Sequence, residues 1–311
     1  RRVNMLTHVV ENVVGNGTKC EGVFGESCLA GKAPADASAQ APRGLTFDAS
    51  DNLYFVEPER HQIFRLPNVE GSFTSIERLS AKACPGDDLG NGTFAEMGSF
   101  NDCEGGLSDI LIESYFFEPY DLVFHSSGDL FVADRKNSRI RRINAPGGVI
   151  SPTESVVTTV AGTGVVCATP DDLDNCGDGG SPTAAQLIDP SGIDLRYENG
   201  SLFHIAIADG THIRMFSNSS IWNIAGTGEN DFMGDFVQNA TSAKLKSASD
   251  VLFVGEDLYF SDRGAHVIRR LTKRNETSIW TAQSVVGEVL PDGDGSLAAA
   301  RMISPGSIVV Y

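Results

Sequence analysis

Short apolar runs separated by polar turns recur along the chain in a fixed order. The first run of each set follows Pro or an equivalent residue: Pro42-Arg-Gly-Leu-Thr-Phe47, Pro119-Tyr-Asp-Leu-Val-Phe124, Pro190-Ser-Gly-Ile-Asp-Leu195, Ala248-Ser-Asp-Val-Leu-Phe253 and Pro305-Gly-Ser-Ile-Val-Val310. Successive starts lie 77, 71, 58 and 57 residues apart. Tight polar turns follow, such as Ser126-Ser-Gly128 and Glu198-Asn-Gly200, with the chemistry of short hairpins. Each leads into a second run closed by an acid: Asn52-Leu-Tyr-Phe-Val-Glu57, Asp129-Leu-Phe-Val-Ala-Asp134, His204-Ile-Ala-Ile-Ala-Asp209 and Asp257-Leu-Tyr-Phe-Ser-Asp262.

The third run alternates apolar and mostly basic residues: Gln62-Ile-Phe-Arg-Leu66, Arg139-Ile-Arg-Arg-Ile143, His212-Ile-Arg-Met-Phe216 and Val267-Ile-Arg-Arg-Leu271. That period predicts strands with one buried and one wet face. A fourth run ends on glycine, as in Thr159-Val-Ala-Gly-Thr-Gly164, Asn223-Ile-Ala-Gly-Thr-Gly228 and Ser284-Val-Val-Gly287. Linkers such as Gly177-Asp-Gly-Gly-Ser-Pro-Thr-Ala-Ala-Gln-Leu187 and Asp292-Gly-Asp-Gly-Ser-Leu-Ala-Ala-Ala-Arg-Met302 lead onward. Four antiparallel strands per unit, repeated, predict an all-β fold, a β-propeller of four-stranded blades.

Laid out by number, the pattern predicts a single propeller over 1–311. The last strands of a partial blade occupy 1–17, complete blades 42–81, 119–164, 190–228 and 248–289, and an opening strand 305–311. A disulfide-bearing insertion fills 82–118. Arg1-Arg-Val-Asn4 matches Arg141-Arg-Ile-Asn144, so the sequence is expected to open in mid-unit, as a fragment of a longer chain. Closure is then expected at five or six blades, or by strand exchange between copies.

These motifs resemble NHL repeats, whose members carry a Val-Ala-Gly-Thr-Gly segment, a Gly-Asp-Gly-Gly linker and an Ala-Asp followed by an Arg-Ile-Arg strand. The resemblance is clearest over 119–311 and weakest over 67–118. It implies a framework. The glycine of Val-Ala-Gly is expected to take positive φ as the chain leaves the outer strand. The Ala-Ala-Gln-Leu segment is expected to drop a leucine between blades. The acids Glu57, Asp134, Asp209 and Asp262 are expected to accept backbone N–H groups from the turn that follows. His61, His212 and His266 sit in or beside that turn and are read as structural.

Charge narrows the partners. The 311 residues carry 24 Lys+Arg against 41 Asp+Glu, a net −17, which disfavours nucleic acid and anionic membrane surfaces. No apolar run reaches the roughly 18–20 residues of a membrane span, so no direct membrane insertion is expected. Six cysteines fall as three local couples, Cys20 and Cys28, Cys84 and Cys103, Cys167 and Cys176. Six allow fifteen pairings. Local pairing is favoured over free thiols or zinc, because no C-x-x-C or His motif accompanies them. Six Asn-x-Ser/Thr sequons begin at Asn16, Asn91, Asn199, Asn218, Asn239 and Asn275. Together they predict a secreted or cell-surface glycoprotein. Asn16, Asn91 and Asn239 belong to the linker face, and the other three to the opposite face.

The function read from these features is a non-catalytic interaction or structural module. Its expected partners are other extracellular proteins or copies of itself, in a filament or surface appendage, with N-linked glycans attached. The alternative, drawn from enzymes that the resemblance includes, is a propeller lyase or hydrolase with a metal at the central channel. No HExxH, G-x-S-x-G or P-loop supports it. His125 and His204, near strand ends, are the side chains it would recruit. No cofactor is expected; the carboxylates of Asp171-Asp-Leu-Asp174 and Asp292-Gly-Asp294 are of the kind that binds calcium, but both stretches lack the EF-hand spacing.

Overall fold

A computed structural model describes residues 2–3, 10–18, 28–39, 41–80, 110–198, 201–231, 239–273, 279–286 and 305–306. Two short strands, β1 (Arg2–Val3) and β2 (Val10–Glu11), pair antiparallel near the start. The first four-stranded sheet comprises β3 (Arg43–Phe47), β4 (Leu53–Glu57), β5 (Gln62–Leu66) and, beyond a side hairpin of β6 (Asn68–Val69) and β7 (Ser72–Phe73), β8 (Glu77–Arg78). The second comprises β9 (Pro119–Phe124), β10 (Leu130–Asp134), β11 (Arg139–Ile143) and β12 (Val157–Ala161). The third holds β13 (Pro190–Glu198), β14 (Ser201–Asp209), β15 (His212–Phe216) and β16 (Ile221–Ala225). The fourth holds β17 (Ala248–Val254), β18 (Asp257–Asp262), β19 (Val267–Lys273) and β20 (Trp280–Val286). Strands run in chain order across each sheet, and the fold is all-β, made of propeller blades. Among the described residues the only helical pieces are short 3₁₀ turns.

The described chain divides into two compact units, one of Arg1–Asn137 with Arg141–Thr158 and one of Ser138–Ile140 with Thr159–Tyr311. In the first unit, β4 is buried along its whole length because its two faces meet different cores. Leu53 and Phe55 pack with Phe64, Leu66, Leu29 and Ile76. Tyr54 and Val56 pack instead with Ile63, Leu79, Leu111, Phe116 and Leu122. The strand period of two thus serves both faces of a blade. In the second unit one core joins Ile213, Met215 and Ile224 of the third sheet to Val251, Phe260 and Leu271 of the fourth. The linker between those sheets contributes Ala240, Ala243 and Leu245 to it. Leu187, the matching leucine one blade earlier, is likewise fully buried.

Burial on both faces corrects the one-wet-face reading of the third strands. All five residues of β15 are buried, and Arg214 and Arg269 are 0% exposed. Where both faces are covered, as at Arg214 and Arg269, the basic position faces protein and needs acidic partners, whereas Arg142 of β11 stays exposed. The first strand of every blade also shifts register beside the acid that ends the second, at Gly44, Tyr120, Ser191–Gly192 and Ser249. A bulge at that point bends the strand and re-aims its backbone groups.

Val-Ala-Gly behaves as expected. Gly162 and Gly226 have φ of 92° and 103°. A Cβ at Gly226 would stand 2.2 Å from the Thr211 carbonyl oxygen, and one at Gly162 2.2 Å from that of Ser138. The exit from the fourth strand therefore lies directly on the turn between the second and third.

Candidate functional site

The acids that end the second strands are all fully buried: Glu57, Asp134, Asp209 and Asp262 are each 0% exposed. Their backbone donors differ from expectation. Asp209 Oδ1 accepts from the backbone N–H of Ile188 at 2.8 Å and of Asp189 at 2.9 Å. Asp262 Oδ1 accepts from Ser247 at 3.0 Å and Lys246 at 3.1 Å, and Asp134 Oδ1 from Phe117 at 2.8 Å. These donors precede the first strand, 15–21 residues upstream, rather than following the acid. Each of these three aspartates ties the incoming linker to its blade.

Opposite each aspartate stands a third-strand arginine. Arg214 Nη1 lies 3.5 Å from Asp209, Arg269 Nη2 3.3 Å from Asp262 and Arg141 Nη1 3.8 Å from Asp134. The first blade departs from the pattern. Phe64 holds the register of Arg214 and Arg269, and stacks on Phe55 at 5.4 Å. Glu57, one methylene longer than Asp, instead reaches Arg60 at 2.8 Å. The other basic residues that suggested a patch are also engaged: Arg139 donates to the Thr163 carbonyl at 2.7 Å, and Arg142 pairs with Asp129 at 2.6 Å.

The linker of the third blade shows what Gly-Asp-Gly-Gly does. Asp178 Oδ1 accepts from Arg214 Nε at 3.0 Å and Nη2 at 2.5 Å, while its Oδ2 accepts from the Asn223 N–H at 2.7 Å. Arg214 Nη1 donates to the Gln186 carbonyl at 2.8 Å. One guanidinium thus binds two segments of the linker and the end of its own second strand. Burial pushes the Asp209 carboxyl upward, against the pull of Arg214 and the two N–H donors.

The histidines have separate roles. His61, in left-handed geometry at φ 57°, accepts from the Glu118 N–H through Nδ1 at 2.9 Å and packs on Phe117. His266 takes the same geometry at φ 62°. His212 does not share their position, because the third blade turns through only Gly210 and Thr211 and places His212 in the strand opposite Asp209. Burial, and then Arg214, lower its pKa to about 4. His204 sits edge-on to Trp222 at 5.1 Å, and burial, Arg196 and Lys273 lower it to about 4 also. His125 bonds Ser127 Oγ at 2.7 Å in its own hairpin. Among the described residues, no group of three or more His, Cys, Asp or Glu converges as a metal-ligand set.

Cys167 and Cys176 form a disulfide within the linker, with Cα atoms 5.5 Å apart. Cys28 is disulfide-bonded as well. Cys20, Cys84 and Cys103 lie outside the described residues, as do Asn91, Asn199, Asn275 and the Asp292–Asp294 stretch. Asn16 and Asn239 are exposed and share one geometry: each Oδ1 accepts from the Thr hydroxyl two residues on, at 2.7 Å from Thr18 and 2.9 Å from Thr241. Asn218 is exposed in the turn between β15 and β16.

Between the disulfide loop and the third blade opens a cleft of about 450 Å³. Pro170 to Asp174 form its loop side, and Asp178, His212, Asn223, Gly226, Thr227 and Thr241 line the rest. Sequence reasoning saw the acids but not the cleft, since its walls come from five separate stretches.

Residues 108–234 match the family model described as the teneurin NHL domain. Teneurin-3 of Danio rerio is 33% identical over 130 residues, which is 42% of this chain and 4% of that protein. Teneurin-3 of Mus musculus is 29% identical over 161 residues, 49% of this chain and 6% of that protein. The matches therefore span a small part of those relatives. Among solved structures, an auxiliary nutrient binding protein from Bacteroides thetaiotaomicron aligns with a TM-score of 0.51 at 16% identity, over 73% of this chain and 47% of the other, a likeness of fold alone.

Proposed function

We propose that this chain, whose residues 108–234 match the teneurin NHL domain, is an extracellular, glycosylated module that works by binding other proteins rather than by catalysis. The observation that carries the reading is the Cys167–Cys176 disulfide, which lies inside the segment matching the teneurin NHL domain. A bond of that kind persists in oxidising compartments. The recurring acids and most third-strand arginines are occupied by internal contacts, which supports a framework role for them. On this reading residues 1–311 form one propeller with the blade limits given above. Cys20 pairs with Cys28, Cys84 with Cys103, and the six sequon asparagines carry sugars.

The test is expression as a secreted protein from cultured eukaryotic cells. Intact mass before and after glycosidase and reductant should report N-glycans and three disulfides, and the purified chain should bind saturably to a panel of extracellular protein domains. Unmodified asparagine with free thiols, or no binding across the panel, overturns the proposal. Particle imaging of the same material decides between single copies and a filament of them.

A further inference from the structure

We propose that the cleft beside the disulfide loop receives an arginine side chain presented by a partner protein. This deepens the interaction-module reading and rests on it. The loop from Val165 to Leu187 contains no Lys or Arg, and its Asp171, Asp172 and Asp174 carboxylates are exposed. Asp172 holds Asn175 at 2.6 Å, but no cation of the described chain meets Asp171 or Asp174. Neighbouring positive charge is already used: Arg214 is held by Asp178, and Lys244 by Glu229 at 2.5 Å and Asp231 at 3.8 Å.

Two further observations come from the inner wall. Asn223 spends its Nδ2 on the Gly226 carbonyl at 2.8 Å, which leaves its buried Oδ1 without a hydrogen bond. His212, only 1% exposed, bonds Thr211 Oγ1 through Nδ1 at 3.4 Å, and its Nε2 has no protein partner. With its pKa near 4 the ring is neutral, and in the tautomer that donates Nδ1–H to Thr211 Oγ1 its Nε2 is an acceptor. The wall thus offers acceptors at its floor and carboxylates at its rim. An unmet buried acceptor is costly. A planar guanidinium, with five N–H donors and a permanent charge, fits that arrangement better than a neutral solute. Val165 and Val166, exposed in the same loop, suit a protein source over free arginine.

The experiment titrates the isotope-labelled, glycosylated chain with N-acetylarginine amide, its neutral isostere N-acetylcitrulline amide, calcium chloride alone, and an acetylated Leu-Arg-Leu amide. The arginine compound should shift the backbone signals of 170–178 and 223–228, and citrulline should not. The tripeptide should bind more tightly than the single residue. The exposed double substitution Asp171→Asn/Asp174→Asn should weaken arginine binding about five-fold while thermal unfolding stays unchanged. Equal response to citrulline, saturable response to calcium with none to arginine, no gain for the tripeptide, or an unaltered double variant would each overturn the inference. If that variant still binds its partners in the domain panel, the module reading survives and the cleft assignment does not.

Discussion

Arg214 and Asp209 lie 3.5 Å apart where both side chains are 0% exposed, and Asp178 closes on the same guanidinium at 2.5 Å. A buried cation between two carboxylates stabilises little beyond its own desolvation, but removing it strands both acids. Arg214→Met should therefore cost about 3–5 kcal/mol, measured by urea unfolding. Adding Asp209→Asn should recover part of that loss, because asparagine still accepts from Ile188 and Asp189 without a charge. A single-variant loss under about 1 kcal/mol would show that the pair does not hold the linker.

Gly226→Ala and Gly255→Ala separate backbone preference from steric clash. Both glycines have positive φ, 103° and 61°, but a Cβ at Gly255 meets nothing within 4 Å. Gly255→Ala should cost about 1 kcal/mol. Gly226→Ala must also push Thr211 back, and should cost at least twice as much by the same unfolding measurement.

Replacing Cys167 and Cys176 by serine frees a loop closed over a sequence separation of 9. Loop-closure entropy puts the loss near 2–3 kcal/mol, read as a lower melting temperature. Reductant should lower the melting temperature of the parent chain further than that of the variant, which keeps its other bridges but lacks this one.

Acid should destabilise the chain partly through His212. Its folded pKa is about 4 against an ordinary 6.5, so the unfolded state binds more protons between those values. The stabilising contribution is complete above pH 6.5 and is lost as pH falls through 4. His212→Gln, the residue that Gln62 supplies at the matching position of the first blade, should flatten this slope. The difference between parent and variant should amount to at most about 3 kcal/mol across the window. Groups such as Asp209 titrate in both proteins and cancel in that difference. Parallel curves would assign the acid sensitivity elsewhere.

Blade strands were legible because alternation, hairpin turns and the Val-Ala-Gly stop act over a few residues. The burial of the third-strand arginines was not, because a period of two reports two faces without saying what covers each. Nor was the destination of the second-strand acids. Asp209 looks, in sequence, like the start of a turn, yet its donors at Ile188 and Asp189 arrive from the previous linker. Phe64 hides the arginine pattern in the first blade, and only strand register reveals that Glu57 found Arg60 instead. The cleft escaped for a similar reason, since Asp171 and Asn223 meet only after the linker folds over the blade.

Asp178 and Gln186 precede the first strand of the third blade, yet they bind an arginine deep within that blade. A boundary for expression or for gene duplication placed at Pro190 would leave Arg214 behind without two of its partners. Cut before Gly177, the same blade takes its anchor with it. The portable repeat therefore begins in what the strand count treats as a connector, and a shuffled copy that keeps this phase arrives already latched.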